Sequence, residues 1–178
     1  MIRIRGKAVV AALGVLAAGQ ALAREDASLT AFHSAALARH NAVRAKHGAP
    51  ALKQSPALNA KAQEWANHLA SLGRLEHSGG AYGENLYAFA GVPMAAAQLG
   101  QDAVDSWYDE IKAYDFKKPG FSMKTGHFTQ VVWKGSTEVG CGLAEAKKGS
   151  APAYYVVCMY NPPGNYQGQF PQNVVKPR

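Results

Sequence analysis

The first 23 residues decide which part of this chain is available to fold into a domain. Basic residues at positions 3, 5 and 7 precede an almost unbroken apolar run over 8–18, and an Ala-Leu-Ala triplet then ends at Ala23. This order of basic, apolar and small residues is typical of a cleavable signal peptide. The apolar run is shorter than the roughly 20 residues that a membrane-spanning helix needs. The sequence therefore predicts a signal peptide over 1–23 and a secreted domain over 24–178, rather than a buried N-terminal helix.

Composition and charge limit the partners of this domain. Removal of the predicted signal peptide leaves 155 residues, the size of one typical domain. Three basic residues leave with it, so the formal net charge falls from +7 to +4. The remaining Lys and Arg are dispersed and form no stripe of the kind that a phosphate backbone requires. We therefore expect a protein delivered to a periplasm or outside the cell that binds no nucleic acid, and the sequence indicates no oligomeric state.

The chain contains two cysteines, Cys141 and Cys158. The stretch between them resembles two strands joined by a polar loop over 147–152, so a hairpin centred on this loop brings the two residues near each other. Thiols usually pair in the oxidising compartments that a signal peptide implies. Two buried free thiols are the alternative. We favour the disulfide, which in a loop of this size stabilises a fold by about 3 kcal/mol.

Hydrophobic periodicity predicts helices and strands in the same domain. The helices are expected over 29–47, 56–72 and 93–114, and the strands over 82–87, 128–133, 139–145 and 154–160. The strand over 139–145 is the weakest, because two glycines interrupt it. The segment from Asn161 onward is rich in proline and glycine and is expected to be extended. This order predicts an α+β fold in which helices pack on an antiparallel sheet.

Four polar residues occupy positions that the apolar pattern does not explain. His77 precedes a turn, Glu84 lies inside a predicted strand, and Glu110 borders the apolar stripe of the third predicted helix. His127 starts the predicted strand that also carries Thr129 on the same side. Carboxylates and imidazoles beside apolar residues are costly to bury unless they are paired. The four side chains either bond separately at half-exposed edges, or they satisfy one another and hold a divalent ion.

Five stretches of the sequence resemble the motifs of one protein family. They are His40–Gly48 in the first predicted helix, Gly83–Leu86, Trp107–Glu110, Gly126–Trp133 and Tyr155–Tyr166. Together and in this order they resemble the CAP superfamily, which comprises cysteine-rich secretory proteins, insect antigen 5 and plant pathogenesis-related 1 proteins. The resemblance covers essentially the whole chain after the predicted signal peptide.

The resemblance implies an α-β-α sandwich with a small antiparallel sheet between helical layers. It also implies a central cavity lined by two histidines and two glutamates, which correspond to His77, Glu84, Glu110 and His127. Some members bind a divalent ion, zinc or magnesium, so the resemblance implies a metal site at His77 and His127. The carboxylates would then orient the histidines or bind a metal-held water. The chain departs from disulfide-rich members, because its two cysteines form at most one bridge.

For some members the resemblance implies binding of lipids, so a sterol or fatty acid is an expected ligand. Tyr114, Phe116 and Phe121 have an aromatic spacing that resembles the caveolin-binding-type motif linked to sterol binding in fungal relatives. Exposed aromatic residues in this loop would also support peripheral contact with a membrane. The alternative is that the three rings cover the end of the core. The apolar stretch 88–99 is a second candidate flap.

A metal-assisted hydrolase, similar to a protease or esterase, is the alternative function. A His–Glu pair can activate water, so Glu84 and Glu110 are the candidate catalytic residues, and Ser78 and Thr129 are the hydroxyl groups nearest to the histidines in sequence. The chain contains neither a Gly-x-Ser-x-Gly nor a His-Glu-x-x-His motif, which argues against an enzyme. A protein-interaction or defence role, in which the surface acts rather than the cavity, is a third interpretation.

Overall fold

The computed structural model describes residues 7–148 and 151–178 of the chain. Its helices are α1 (Lys7–Lys46), α2 (Pro56–Leu72), α3 (Ala96–Asp109), α4 (Gly126–Val132) and α5 (Phe170–Asn173). Its strands are β1 (Lys53–Gln54), β2 (Gly83–Ala90), β3 (Glu138–Lys148) and β4 (Ala151–Asn161), and a 3-10 turn over Glu110–Ala113 extends α3. Within these residues, no helix has both the length and the apolarity that a membrane crossing needs.

The predicted signal peptide falls partly outside the described residues, which begin at Lys7. The rest of it is continuous with α1, so this helix begins well before Leu29, where the sequence predicts it. A helical conformation neither requires nor prevents cleavage after Ala23, and the signal peptide stays a prediction. Beyond Leu29, α1 buries Phe32 and Val43 completely, as the apolar periodicity predicts.

The four strands of the described residues form one sheet in the order β1-β3-β4-β2. β2 and β3 both run antiparallel to β4, whereas the two residues of β1 run parallel to β3. α2 packs on one face of the sheet, and α1, α3 and α4 pack on the other. This arrangement confirms the predicted α-β-α sandwich, with a short parallel strand added to the antiparallel sheet.

Two glycines of β3 let α2 lie directly against the sheet. A Cβ atom at Gly140 would come within 2.3 Å of the backbone nitrogen of Asn59. A Cβ atom at Gly142 would come equally close, at 2.3 Å, to the backbone nitrogen of Gln63. Asn59 also joins helix to strand, because its Oδ1 accepts a hydrogen bond from the N–H of Cys141 at 2.9 Å. The glycines that weaken this strand in the sequence are therefore required for the contact between helix and strand.

The hairpin of β3 and β4 brings the two cysteines together. Cys141 and Cys158 lie directly opposite each other in the antiparallel register, and a disulfide joins them. The predicted bridge is confirmed over the alternative of two free thiols. Both residues are buried in the core that faces α1 and α3. Residues 149 and 150 of the predicted hairpin loop lie outside the described residues.

Residues 126–132 form the helix α4, so the predicted strand over 128–133 is wrong. The β-branched and aromatic composition of this stretch favours a strand when it is taken alone. However, Phe128, Val131 and Val132 recur at helical spacing, and all three are completely buried. Burial of this stripe against α1 and α3 outweighs the intrinsic strand preference.

Two further boundaries differ from the predicted ones. The third predicted helix, 93–114, is α-helical only over Ala96–Asp109 and tightens into the 3-10 turn that carries Glu110. The segment after Asn161, which the sequence predicts to be extended, contains α5. Burial of Phe170 in the main core gives this short helix its position.

Arg44 holds the C-terminal end of α4. Its guanidinium is completely buried and donates hydrogen bonds to the carbonyl oxygens of Val131 and Trp133 at 2.9 Å. It also donates to the carbonyl oxygens of Ser136 at 3.0 Å and Pro50 at 2.9 Å. Burial lowers the pKa of Arg44 to about 10, so the side chain is still a cation at neutral pH. Carbonyl oxygens therefore compensate the buried charge, and no carboxylate of the described residues pairs with it.

We expect Gly140→Ala to lower the free energy of unfolding by about 3 kcal/mol, because the new methyl group pushes α2 away from β3. Gly120→Ala is the matched control, since no atom lies within 4 Å of a Cβ at that position and its φ is not left-handed. Urea denaturation followed by circular dichroism measures both changes. Equal stabilities of the two variants would contradict this account of the helix–sheet contact.

We expect Arg44→Met to lower the free energy of unfolding by at least about 3 kcal/mol, because it leaves buried carbonyl groups without a donor. Arg39→Met on the same helix is the control. The ion pair of Arg39 with Asp105 is partly exposed and contributes at most about 1 kcal/mol. If denaturant midpoints show the same loss for both variants, Arg44 does not hold α4 in the way described.

Candidate functional site

A cavity of about 390 Å³ opens beside the edge strand β2 and the first turn of α4. Three of the four predicted site residues line it: His77 from the loop after α2, Glu84 from β2, and His127 from α4. Glu110, the fourth, lies in the 3-10 turn and contacts the ring of His127. The structure thus places three of the four side chains that the resemblance implies at one cavity, and Glu110 next to His127.

The four side chains form two His–Glu pairs. His77 Nδ1 lies 2.6 Å from Glu84 Oε1, and His127 Nδ1 lies 2.7 Å from Glu110 Oε1. Because an ionised carboxylate can only accept, Nδ1 of each ring carries the proton and donates it. In a neutral ring the other nitrogen, Nε2, then carries a lone pair and can accept a hydrogen bond. No group of the described residues donates to it. Each pair therefore offers one imidazole acceptor at the cavity.

Backbone groups fix the two carboxylates. Glu84 Oε1 accepts a second hydrogen bond from the N–H of Ser78 at 3.1 Å. Glu110 Oε2 accepts from the N–H groups of His127 at 3.0 Å and Phe128 at 3.1 Å, the first residues of α4 after Gly126. Glu84 Oε2 differs from the other three carboxylate oxygens, because it is buried and has no partner among the described residues.

A chain of buried polar groups connects α1 to the cavity. His40 Nε2 lies 2.8 Å from the hydroxyl of Tyr160, which lies 3.2 Å from Asn85 Nδ2. Asn85 Nδ2 also lies 3.1 Å from the carbonyl oxygen of His127. Burial lowers the pKa of His40 to about 4 and raises the pKa of Tyr160, so both are neutral at pH 7.

The sequence assigns no role to this chain of groups, nor to Arg44. Its residues belong to the family motifs, but a motif does not tell which polar atoms meet. One signal was available. His40 and Arg44 occupy the buried face of α1 together with Phe32 and Val43, and a polar residue at such a position needs a partner inside the protein.

The three aromatic residues predicted to bind lipid lie in two different environments. Tyr114 is buried and Phe116 half-buried, and their rings lie 5.4 and 6.3 Å from the ring of Phe128 in the core. These two rings cover the core, as the alternative prediction has it. Phe121 is 46% exposed and lines the cavity. The second candidate flap, 88–99, forms the end of β2 and the start of α3.

Of the two hydroxyl groups named for a hydrolase, one lies at the cavity and the other does not. Ser78 lines the cavity beside His77. Thr129 is completely buried, and its hydroxyl donates to Asn165 Oδ1 at 2.6 Å. The predicted shared face of Thr129 and His127 is wrong because α4 is a helix, in which residues two positions apart point in nearly opposite directions. Thr129 therefore holds the chain after β4 rather than facing the site.

The family profile of the CAP proteins, described as the cysteine-rich secretory protein family, matches residues 37–160. Golgi-associated plant pathogenesis-related protein 1 of Homo sapiens is 44% identical over 153 residues, which cover 83% of this chain and 94% of that protein. Pathogenesis-related protein 1A of Nicotiana tabacum is 41% identical over 74% of this chain and 76% of that protein. Protein PRY2 of Saccharomyces cerevisiae is 45% identical over 70% of this chain, but the match spans only 35% of its own length.

Solved structures of this fold include two that cover most of the chain. Na-ASP-1 matches with a TM-score of 0.65 and 20% identity over 78% of this chain and 40% of that one. NaASP2, solved with Zn²⁺, matches with a TM-score of 0.64 and 20% identity over 82% of this chain and 85% of that one. At this identity the likeness shows the fold alone. The family profile and the 44% identity to the human protein show more: this chain belongs to the CAP family of cysteine-rich secretory proteins.

Proposed function

We propose that the chain is a secreted CAP domain whose cavity binds a divalent metal ion, zinc in the first place, through Nε2 of His77 and Nε2 of His127. The observation that carries this proposal is the pair of short hydrogen bonds from the Nδ1 atoms to Glu84 and Glu110. Histidines that ligate metals commonly bond a carboxylate with their second nitrogen, because this bond fixes the tautomer and the ring orientation. The secreted location rests on the predicted signal peptide.

The donor set fits an open metal site. Imidazole nitrogen suits zinc, and two protein ligands leave the other coordination positions to water or to a ligand. The described residues contain no group of three or more His, Cys, Asp or Glu side chains that could close the site around an ion. An open site is typical of an ion that acts on a ligand, whereas a structural ion has four protein ligands.

Glu84 and Glu110 act through the histidines. Each carboxylate accepts a hydrogen bond from Nδ1–H of its histidine, and this bond makes Nε2 of the same ring a stronger base. Glu110 also accepts the N–H groups of His127 and Phe128, so the ring of His127 and the start of α4 are held by one carboxylate. A divalent ion, when bound here, polarises a ligand oxygen or a water molecule.

A sterol or fatty acid is the second ligand that a feature of the site favours. Phe121 and Met123 line the cavity and expose 46% and 83% of their surface. Large exposed apolar residues beside a pocket are typical of sites for apolar ligands or membranes. Lys117, Lys118 and Lys124 of the same loop are exposed as well. Their charge favours peripheral contact with an anionic lipid surface.

Metal-assisted hydrolysis is the alternative use of the same cavity. Glu84 lines the cavity, and its carboxylate can take a proton from a water molecule that enters there. Cleavage of peptide or ester substrates that is lost in Glu84→Gln would favour this alternative over a binding module.

We expect one Zn²⁺ ion to bind per chain, and His77→Ala/His127→Ala to weaken the binding by about 100-fold or more, because both proposed ligands are removed. Isothermal titration of the metal-free protein with zinc chloride measures the affinity. His68→Ala is the matched control, since His68 is an exposed histidine of α2 near Glu76. Unaltered zinc affinity in the double variant would refute this site.

We expect Phe121→Ser/Met123→Ser to weaken the binding of cholesterol or palmitate by about 10-fold or more, because two apolar contacts at the cavity are lost. Val92→Ser is the control, since Val92 is 65% exposed and lies outside the cavity. Phe116→Ala should instead lower stability, because Phe116 packs on the core. Binding of both lipids at wild-type strength by the double variant would exclude this rim as their site.

A further inference from the structure

Asn85 is a buried polar residue of the cavity to which the sequence motifs assign no role. It follows Glu84 on β2, lines the cavity and is 1% exposed. A carboxamide has a donor end and an acceptor end, and the two ends select different ligands. Which end of Asn85 faces the cavity is decided by the hydrogen bonds behind it.

The direction of these hydrogen bonds is set at His40. Its Nδ1 lies 2.8 Å from the carbonyl oxygen of Ala36, which can only accept, so Nδ1 carries a proton. The ring is completely buried, and the cation Arg44 lies one turn away on α1. Both features keep the ring neutral, since they lower the pKa of His40 to about 4. A neutral ring holds one proton, so Nε2 of His40 is an acceptor.

The hydroxyl of Tyr160 must therefore donate to His40 Nε2, at 2.8 Å. A hydroxyl has one proton, so the oxygen of Tyr160 can only accept from its second neighbour, Asn85, at 3.2 Å. The carbonyl oxygen of His127, at 3.1 Å, can also only accept. Both neighbours thus require a donor, and Nδ2 of Asn85 supplies one proton to each. The amide orientation follows from this sequence of partners.

The acceptor end of Asn85 is the end that remains for the cavity. No group of the described residues donates to Asn85 Oδ1. Glu84 Oε2 is buried and has no partner among the described residues, and a neutral imidazole whose Nδ1–H bonds a carboxylate, as in His77 and His127, carries its lone pair on Nε2. These four atoms are all acceptors. A cavity with such groups fits a ligand that brings protons or positive charge and disfavours an anion.

We infer that Asn85 Oδ1 is a further binding group of the cavity, which accepts a hydrogen bond from a water molecule of a hydrated divalent cation, and that Tyr160 and His40 are positioning residues for it. The inference rests on the proposed metal site and adds to it. It names the hydrated cation as the ligand and extends the site to α1. Rotation of the amide by half a turn would place Oδ1 against two acceptors, so the hydrogen bonds behind Asn85 keep its oxygen toward the cavity.

The orientation of Asn85 is testable without metal, by NMR of the ¹⁵N-labelled, metal-free protein. We expect the two side-chain amide protons of Asn85 to exchange at least about 100-fold more slowly than those of Gln167. The reason is that both protons of Asn85 are hydrogen-bonded inside the protein, whereas Gln167 is exposed. Tyr160→Phe should speed their exchange by about 10-fold, because one acceptor is removed. Tyr154→Phe is the control on the same strand, where the hydroxyl bonds the N–H of Met94 instead. Two results would overturn the proposed orientation of the Asn85 amide. They are fast exchange of its protons in the wild type, and an unchanged exchange rate in Tyr160→Phe.

The role toward the cation is tested by calorimetric titration with zinc chloride. Asn85→Ala and Tyr160→Phe should each weaken zinc binding by about 10-fold, the usual effect of groups outside the ligand set. Tyr154→Phe should bind as the wild type does, and sodium phosphate titrated alone should not bind. Tyr160→Phe removes only the hydroxyl and keeps the ring, so it remains informative if Asn85→Ala fails to fold.

The outcomes separate this inference from the proposed function. Wild-type zinc affinity in both variants, or phosphate binding that His77→Ala/His127→Ala abolishes, overturns the inference while the metal site stands. A wild type that binds no zinc overturns the proposed function, and amide exchange still decides whether Asn85 presents its oxygen to the cavity.

Discussion

The position of α4 depends on two charged side chains from other parts of the chain, one at each end of the helix. At the start of the helix, Glu110 accepts hydrogen bonds from the N–H groups of His127 and Phe128. At its end, Arg44 donates hydrogen bonds to the carbonyl oxygens of Val131 and Trp133. An anion at the N-terminus and a cation at the C-terminus both complement the helix dipole. A helix of seven residues is too short to be stable alone, so these contacts and the burial of its apolar stripe keep it formed. His127 reaches the cavity because α4 is held at both ends.

The segment after β4 closes the site by packing on Gln130 of α4. Gln130 Oε1 accepts the N–H of Gly164 at 2.8 Å, and a Cβ at Gly83 would lie 2.2 Å from the same oxygen. Asn165 has a left-handed φ of 63°, and its Oδ1 accepts a hydrogen bond from the hydroxyl of Thr129. Glycine and asparagine are the residues that adopt such close or left-handed backbone positions most readily. Part of the motif by which the sequence resembles the family is thus a packing requirement, distinct from the His/Glu chemistry.

The four side chains of the site could be named from the sequence, but the helix that carries His127 could not be told from a strand, because three apolar residues at helical spacing fill little more than one turn. Composition reports local preference, which favours a strand there. The contacts that make α4 a helix come from far along the chain, since Arg44 and Val131 are separated by 87 positions. The glycines of β3 also depend on distant contacts. Gly140 lowers the local preference for a strand, but the absence of its side chain lets α2 pack against β3. Hydrogen-bond direction at Asn85 depends on a similar long-range chain and has no local signal.

The acceptor groups of the cavity and its apolar residues place different demands on the two proposed lipids. A sterol carries a hydroxyl group, which can donate directly to Asn85 Oδ1 while its ring system contacts Phe121 and Met123. A fatty acid carries a carboxylate, which is an anion that can only accept. Four acceptor atoms, one of them on Glu84, disfavour that head group unless a cation lies between them. A fatty-acid ligand would therefore depend on the proposed metal site, whereas a sterol needs no ion to satisfy the same groups.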